Sequence, residues 1–199
     1  MIQLILFDLG GVLFTNGLKI FSAAISQRYG LPVDKVKDIL DGAWGSLYRE
    51  GKISRDVFWQ GTVERLHLTE PIDALEHEWF ESYAIIPGTR EIVNELFKRY
   101  TIFCLSDNMK EREEYLNKKF QFTLLFHGGV FSHEVGARKP DPRIYQHALE
   151  KAQISGEETL FIDDKPTALV PAQSMGMTTI LFESPEQLRE ALRGLQILS

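Results

Sequence analysis

Short apolar runs that stop abruptly on polar residues recur along this chain, and they constrain its fold more than any other feature. The first is QLILFD, closed by Asp8 and followed after Leu9 by Gly10 and Gly11. TIFCLSDN repeats the design at 101–108, ETLFIDDK at 158–165 and MTTILFES at 177–184. A weaker run, GGVFSH, lies between the second and third. Continuous apolar runs of this length, without alternation, are expected of strands buried on both faces, as in a parallel sheet.

Between the runs lie helical patterns. TREIVNELFKRY places Ile92, Val93, Leu96 and Phe97 on one stripe, and DPRIYQHALEKA and SPEQLREALRGL each carry Pro in the first turn. Strands alternating with helices predict a doubly wound, mainly parallel, Rossmann-like α/β sheet. One stretch breaks the alternation. LKIFSAAISQRYG, DKVKDILDGAW, SRDVFWQGTVERLHL and PIDALEHEWFESYA all read as helices, with Ser54 a fair N-cap and Gly30 a fair stop. The expected division is therefore an α/β core of residues 1–14 and 87–199, and an all-helical cap of residues 15–86 over the carboxyl ends of the strands. The aromatics Trp44, Tyr48, Phe58 and Trp59 read mainly as cap core.

The net charge of −6 argues against a nucleic-acid partner, which needs clustered Lys and Arg. No stretch approaches the roughly 18 apolar residues of a membrane span, and no basic region precedes the first apolar run, so neither membrane nor signal peptide is expected. The single cysteine, Cys104, lies inside a strand-like run and reads as a small core residue. Cytoplasm is the expected location.

The polar ends of the strands carry the chemistry. Asp8, then Ser106 with Asp107 and Asn108, then Asp163 with Asp164 should meet in one crevice at the carboxyl edge of the sheet. Carboxylates brought together repel unless a cation sits among them, and oxygen-only ligands select a hard ion, of which magnesium fits best. Lys139, in the loop GARKPDP, is placed to add a fixed positive charge. The five histidines show no metal-ligand spacing.

These residues together resemble the haloacid dehalogenase superfamily. ILFDLGGVL is similar to its first motif, FCLSDN to its second, GARKPDPRIY to its third, and LFIDDKPTAL followed by MGM to its fourth, in order and with a helical insertion after the first strand. The resemblance implies a hydrolase, with Asp8 as the nucleophile that forms an aspartyl-phosphate. It implies that Ser106 binds a phosphoryl oxygen and that Lys139 pairs with both Asp8 and the phosphoryl group. It also implies magnesium held by Asp8, Asp164, the backbone carbonyl of Gly10 and, directly or through water, Asp163. Asp107 and Asn108 are candidate substrate contacts, or alternatively only helix caps. The implied substrate is a small phosphorylated metabolite; no oligomeric state is implied.

Three positions depart from the family pattern. Gly10 stands where its phosphatases usually carry a second Asp that protonates the leaving group, Asp107 where many have Asn, and Ala168 likewise. Two other readings therefore stay open. One is dehalogenation of a 2-halo acid without metal, against which the Asp163–Asp164 pair argues. The other is a catalytically weak member that binds a phosphorylated ligand or a protein.

Overall fold

A computed structural model describes residues 1–198 of the 199-residue chain. Five strands form one parallel sheet in the order β3-β2-β1-β4-β5. They are β1 (Leu4–Phe7), β2 (Thr101–Ser106), β3 (Gly128–Phe131), β4 (Thr159–Asp163) and β5 (Thr178–Leu181). Every apolar run of the sequence thus forms a strand, the weak GGVFSH included. The chain leaves β1 toward β2 and β3 on one side and returns to β4 and β5 on the other, which opens a crevice at the carboxyl edge beside β1.

β1 shows why the runs do not alternate. Leu4, Ile5, Leu6 and Phe7 are all fully buried, but in two different cores. Ile5 and Phe7, with Ile102, Cys104, Leu160 and Ile162, face one large apolar cluster. Leu4 and Leu6, with Phe103, Leu105 and Phe161, face a second one built with Ile144, Tyr145 and Ala172. The period of two persists, with apolar residues on both faces. Burial also pushes the Cys104 thiol above its usual range, in keeping with an inert core residue.

Five helices separate β1 from the rest of the sheet: α1 (Gly17–Tyr29), α2 (Val33–Asp41), α3 (Ala43–Arg49), α4 (Arg55–Leu66) and α5 (Ile72–Glu81). Ser54 caps α4 by accepting Val57 N–H at 3.3 Å, and Gly30 ends α1 in the left-handed region. DKVKDILDGAW, expected as one helix, is two. Gly42 is extended between α2 and α3, and a Cβ there would lie 2.5 Å from the Asp38 carbonyl. Phe21, Phe58, Trp59 and Trp79 pack ring on ring in the middle of this block. Their cluster is continuous with the one on the β1 sheet face, so the insertion is packed onto the sheet through one core.

The remaining helices flank the sheet: α6 (Pro87–Leu96), α7 (Lys110–Phe120), the single turn α8 (Ser132–Val135), α9 (Pro142–Ala152), α10 (Pro166–Ser174) and α11 (Pro185–Gly194). Neither α7 nor α10 stands out in the sequence. KEREEYLNKKF buries only Arg112 and Leu116, and α10 carries Pro171 in its interior. Among the described residues, no helix is long and apolar enough to cross a membrane.

Candidate active site

The polar strand ends do converge. Asp8 follows β1 directly, its N–H bonded to the Ile162 carbonyl of β4 at 2.9 Å. Ser106 ends β2 and Asp163 ends β4. Asp8, Asp163 and Asp164 each offer a carboxylate oxygen, and these atoms lie within 4.8 Å of one another. Lys139 reaches in from the loop after α8. Its ammonium donates to Asp8 Oδ1 at 2.7 Å, Asp163 Oδ2 at 2.6 Å and the Leu105 carbonyl at 3.0 Å. All three of its protons are engaged.

The electrostatics follow from burial and neighbours. Burial pushes the Asp8 carboxyl up to about 6, against the opposing pull of Lys139 and with Asp163 adding to the rise. Burial alone would lower Lys139, but Asp163 and Asp8 outweigh it and hold the ammonium above its usual range. The carboxyl of Asp164 is raised by burial and by Asp8.

The three carboxylates are not equivalent. Asp163 is fully buried, with Oδ2 on Lys139 and Oδ1 accepting Lys165 N–H at 2.8 Å. Asp164 Oδ1 is buried without a hydrogen-bond partner among the described residues. Room for this carboxylate exists only because residue 11 is glycine: a Cβ there would sit 2.2 Å from Asp164 Oδ2. A buried orphan oxygen beside two further carboxylates suits a hard divalent cation. The donors that fit one are Asp8 and Asp164, with Asp163 already committed to Lys139 and the Lys165 N–H.

A cavity of about 250 Å³ opens onto this cluster. Of the residues singled out in the sequence, Asp8, Gly10, Ser106, Asp107 and Lys139 line it. Asn108 turns away, and its amide oxygen accepts from Arg112 Nε. Neither Asp107 nor Asn108 is a helix cap, because α7 begins after Met109. Asp107 instead accepts Lys139 N–H at 2.9 Å and Arg138 Nε at 3.3 Å, which holds the lysine loop against β2.

Among the lining residues that the sequence does not single out are Arg49, Tyr83, Arg112 and Arg138. Arg138 joins the insertion to the sheet, donating to Ser46 Oγ at 2.9 Å and to the Asp41 carboxylate at 2.8 Å. Burial would raise Asp41, but Arg49 and Arg138 outweigh it and hold the carboxyl at about 2. Only its place beside Lys139 in GARKPDP hinted at Arg138.

The family model for haloacid dehalogenase-like hydrolases matches residues 5–182. The chain belongs to that family and is a hydrolase. It is 24% identical to a sesquiterpene phosphatase of Aspergillus oryzae, over 86% of this chain and 85% of that one. Its fold matches a haloacid dehalogenase family enzyme of Bacteroides thetaiotaomicron, solved with magnesium and inorganic phosphate, with a TM-score of 0.76 at 24% identity over 94% of this chain and 99% of that one. It also matches the L-2-haloacid dehalogenase of Xanthobacter autotrophicus, with a TM-score of 0.69 at 17% identity over 100% of this chain and 85% of that one. Both structural likenesses are likenesses of fold.

Proposed function

We propose that the chain is a magnesium-dependent phosphomonoesterase acting on small phosphorylated metabolites, with Asp8 as its nucleophile. One observation carries the reading. A carboxylate that ends a strand faces the cavity, one of its oxygens on a buried lysine, beside an acidic pair that includes an orphan oxygen.

The chemistry follows from these positions. Lys139 keeps Asp8 ionised and fixes its orientation. The Asp8 carboxylate attacks phosphorus, the bond to the ester oxygen breaks, and an aspartyl-phosphate forms. Water then attacks that phosphorus, releasing inorganic phosphate and restoring Asp8. Ser106 binds a phosphoryl oxygen at the head of the cavity, and Lys139 binds another by exchanging one of its three present acceptors for it. Asp8, Asp164 and the Gly10 carbonyl, with Asp163 through water, would hold magnesium, which when bound would supply positive charge against the phosphoryl oxygens. Gly10 contributes no acid, so the leaving alkoxide takes its proton from water or another group.

The phosphatase named among the relatives and the magnesium and phosphate bound by a structural neighbour support this reading over dehalogenation. The orphan Asp164 oxygen supports it too, since metal-free attack on carbon has no use for it. The test is release of phosphate from sugar phosphates, nucleotides and an aryl phosphate, with magnesium and with EDTA. Magnesium-dependent release that Asp8→Asn abolishes is the expected result. Halide release from 2-halo acids in EDTA would replace the reading with dehalogenation. No turnover of either class would leave a binding protein.

A further inference from the structure

The cavity at Asp8 is more cationic than one phosphoryl group requires. Seven cationic side chains line it against three carboxylates, Asp8, Asp41 and Asp107. Three of the seven are matched: Lys139 by Asp8 and Asp163, Arg138 by Asp41 and Asp107, and Arg49 by Asp41 at 3.3 Å. Lys37 lies 4.0 Å from the Asp34 carboxylate, and Lys19 and Lys165 stand toward solvent, where water and salt screen them. The seventh, Arg112, is different.

Arg112 is 6% exposed, yet its guanidinium meets only neutral groups. Nε donates to the Asn108 amide oxygen, Nη1 to Tyr83 Oη at 2.6 Å and Nη2 to the Asp107 carbonyl at 2.7 Å. Its plane is also held near the rings of Tyr83 and Trp79, at 5.0 and 5.9 Å from their centroids. Among the described residues, no carboxylate stands within ion-pair distance of it. A buried charge without a counter-charge is costly, and a chain that only needed to fill this space would do better with an apolar side chain. Three of five N–H donors are used, which fixes the fork and leaves one N–H on each Nη. A guanidinium held this way is preorganised for a planar or tetrahedral oxyanion.

The clamp is built from both parts of the chain. Asn108 and Asp107 follow β2, whereas Tyr83 follows α5 in the insertion. The Tyr83 ring fits because residue 17 is glycine, where a Cβ would lie 2.4 Å from the ring. On its other side the ring edge lies 3.8 Å from where a Cβ on Gly10 would be. Tyr83 therefore spans from the nucleophile loop to Arg112, about the length of one aromatic ring, and a small substrate reaches both.

We propose that Arg112 anchors a second anionic subsite, and that the substrate is a small phosphomonoester carrying a further carboxylate or phosphoryl group. The identity of the first group rests on the phosphatase reading above; the second subsite does not. The transferred phosphoryl group sits at Asp8, Ser106 and Lys139, and the distal anion accepts the two spare Arg112 N–H donors, with the rim lysines adding attraction.

Two arms test this. The first compares kcat/KM for matched pairs: ethyl phosphate against phosphoglycolate, and a hexose monophosphate against its bisphosphate. Wild type should favour the member with the second anion by about 10-fold or more, the scale of a charge-assisted contact. Arg112→Gln should collapse that ratio toward one, and Arg112→Lys should restore part of it. The second arm needs no turnover: calorimetry with Asp8→Asn protein and magnesium, using phosphonoacetate and methylphosphonate. Phosphonoacetate should bind at least 10-fold tighter, and adding Arg112→Gln should remove the difference. Circular dichroism and thermal melts confirm that each variant is folded. Equal affinity for the two phosphonates overturns the subsite, as does a ratio that Arg112→Gln leaves unchanged. If the calorimetric preference holds while no phosphomonoester is hydrolysed, the phosphatase reading fails and the subsite stands.

Discussion

The Lys139 ammonium lies 2.7 Å from Asp8 Oδ1, an ion pair that ties the end of β1 to a loop 131 residues later. Both groups are buried, and Asp163 shares the same ammonium at 2.6 Å. Lys139→Met should therefore leave Asp8 and Asp163 without their shared cation. Removing one member of a buried charge set costs about 3–5 kcal/mol. The expected outcome is a large fall in Tm in EDTA, partly recovered by magnesium and partly by adding Asp163→Asn. An unchanged Tm in chelator would mean that the carboxylates are protonated or solvated instead.

Asp8→Asn should reduce turnover to below a few per cent of wild type while the protein stays folded, since Asn keeps the shape and loses the nucleophile. The same variant reports on stability. Burial pushes the folded carboxyl up to about 6, above its ordinary value of 3.8. A raised folded value means that the ionised group costs stability above pH 6, and that this cost fades as pH falls through 6 toward 4. In EDTA at pH 7.5 the variant should thus be the more stable protein, by about 1–3 kcal/mol. Its advantage should vanish near pH 4. Melting curves across pH decide this, and a variant less stable than wild type at pH 7.5 would contradict the electrostatics.

Asp164 should govern the response to metal. Magnesium bound only by the folded protein raises stability by about 2.7 kcal/mol at a hundred times its Kd. A magnesium titration followed by Tm should show this in wild type and lose most of it in Asp164→Asn. Asp163→Asn should keep more of the shift, because both oxygens of Asp163 are already engaged by Lys139 and the Lys165 N–H. Equal losses in the two variants would make them equal ligands.

Strand ends were the legible part of this site. Continuous apolar runs this short, bounded by turn residues, are consistent with buried strands, and a polar residue closing such a strand in a parallel sheet falls at the crevice by topology. That logic places Asp8, Ser106, Asp163 and Asp164 at the strand ends where the structure has them. Arg112 and Tyr83 lie outside it, and the reason is physical. Arg112 lies in KEREEYLNKKF, where one buried arginine cannot be told from its exposed charged neighbours by pattern. Tyr83 matters through Gly17, which makes space for it, and sequence does not show what fills the space beside a glycine. The break at Gly42 escaped for a similar reason: glycine inside a helical pattern is tolerated more often than not. Asp107 and Asn108 suited a helix cap by residue type, but their side chains are taken by Arg138, by the Lys139 N–H and by Arg112.

The two glycines after Asp8 should respond in opposite ways to substitution. Gly11 has φ of 97°, and a Cβ there would strike the Asp164 carboxylate. Gly11→Ala should therefore strain the turn, displace Asp164 and weaken the magnesium response. Gly10 is not among the positive-φ glycines, and the nearest atom to an added Cβ is Tyr83 Cε1 at an ordinary 3.8 Å. The positive-φ turn thus belongs to Gly11, and Gly10→Asp should fold. Its carboxyl would add an acid at residue 10, which lines the cavity. Alkyl phosphates leave as strongly basic alkoxides and need a proton in the transition state, whereas aryl phosphates need it far less. Wild type should accordingly cleave aryl phosphates faster than alkyl ones. Gly10→Asp should raise alkyl turnover at least about tenfold, the lower range of a positioned general acid, and change aryl turnover less. The ratio of kcat/KM for the two classes is the measurement. If wild type already cleaves both alike, a group other than residue 10 protonates the leaving oxygen, and Tyr83, whose ring edge faces Gly10, is the first residue to replace with Phe.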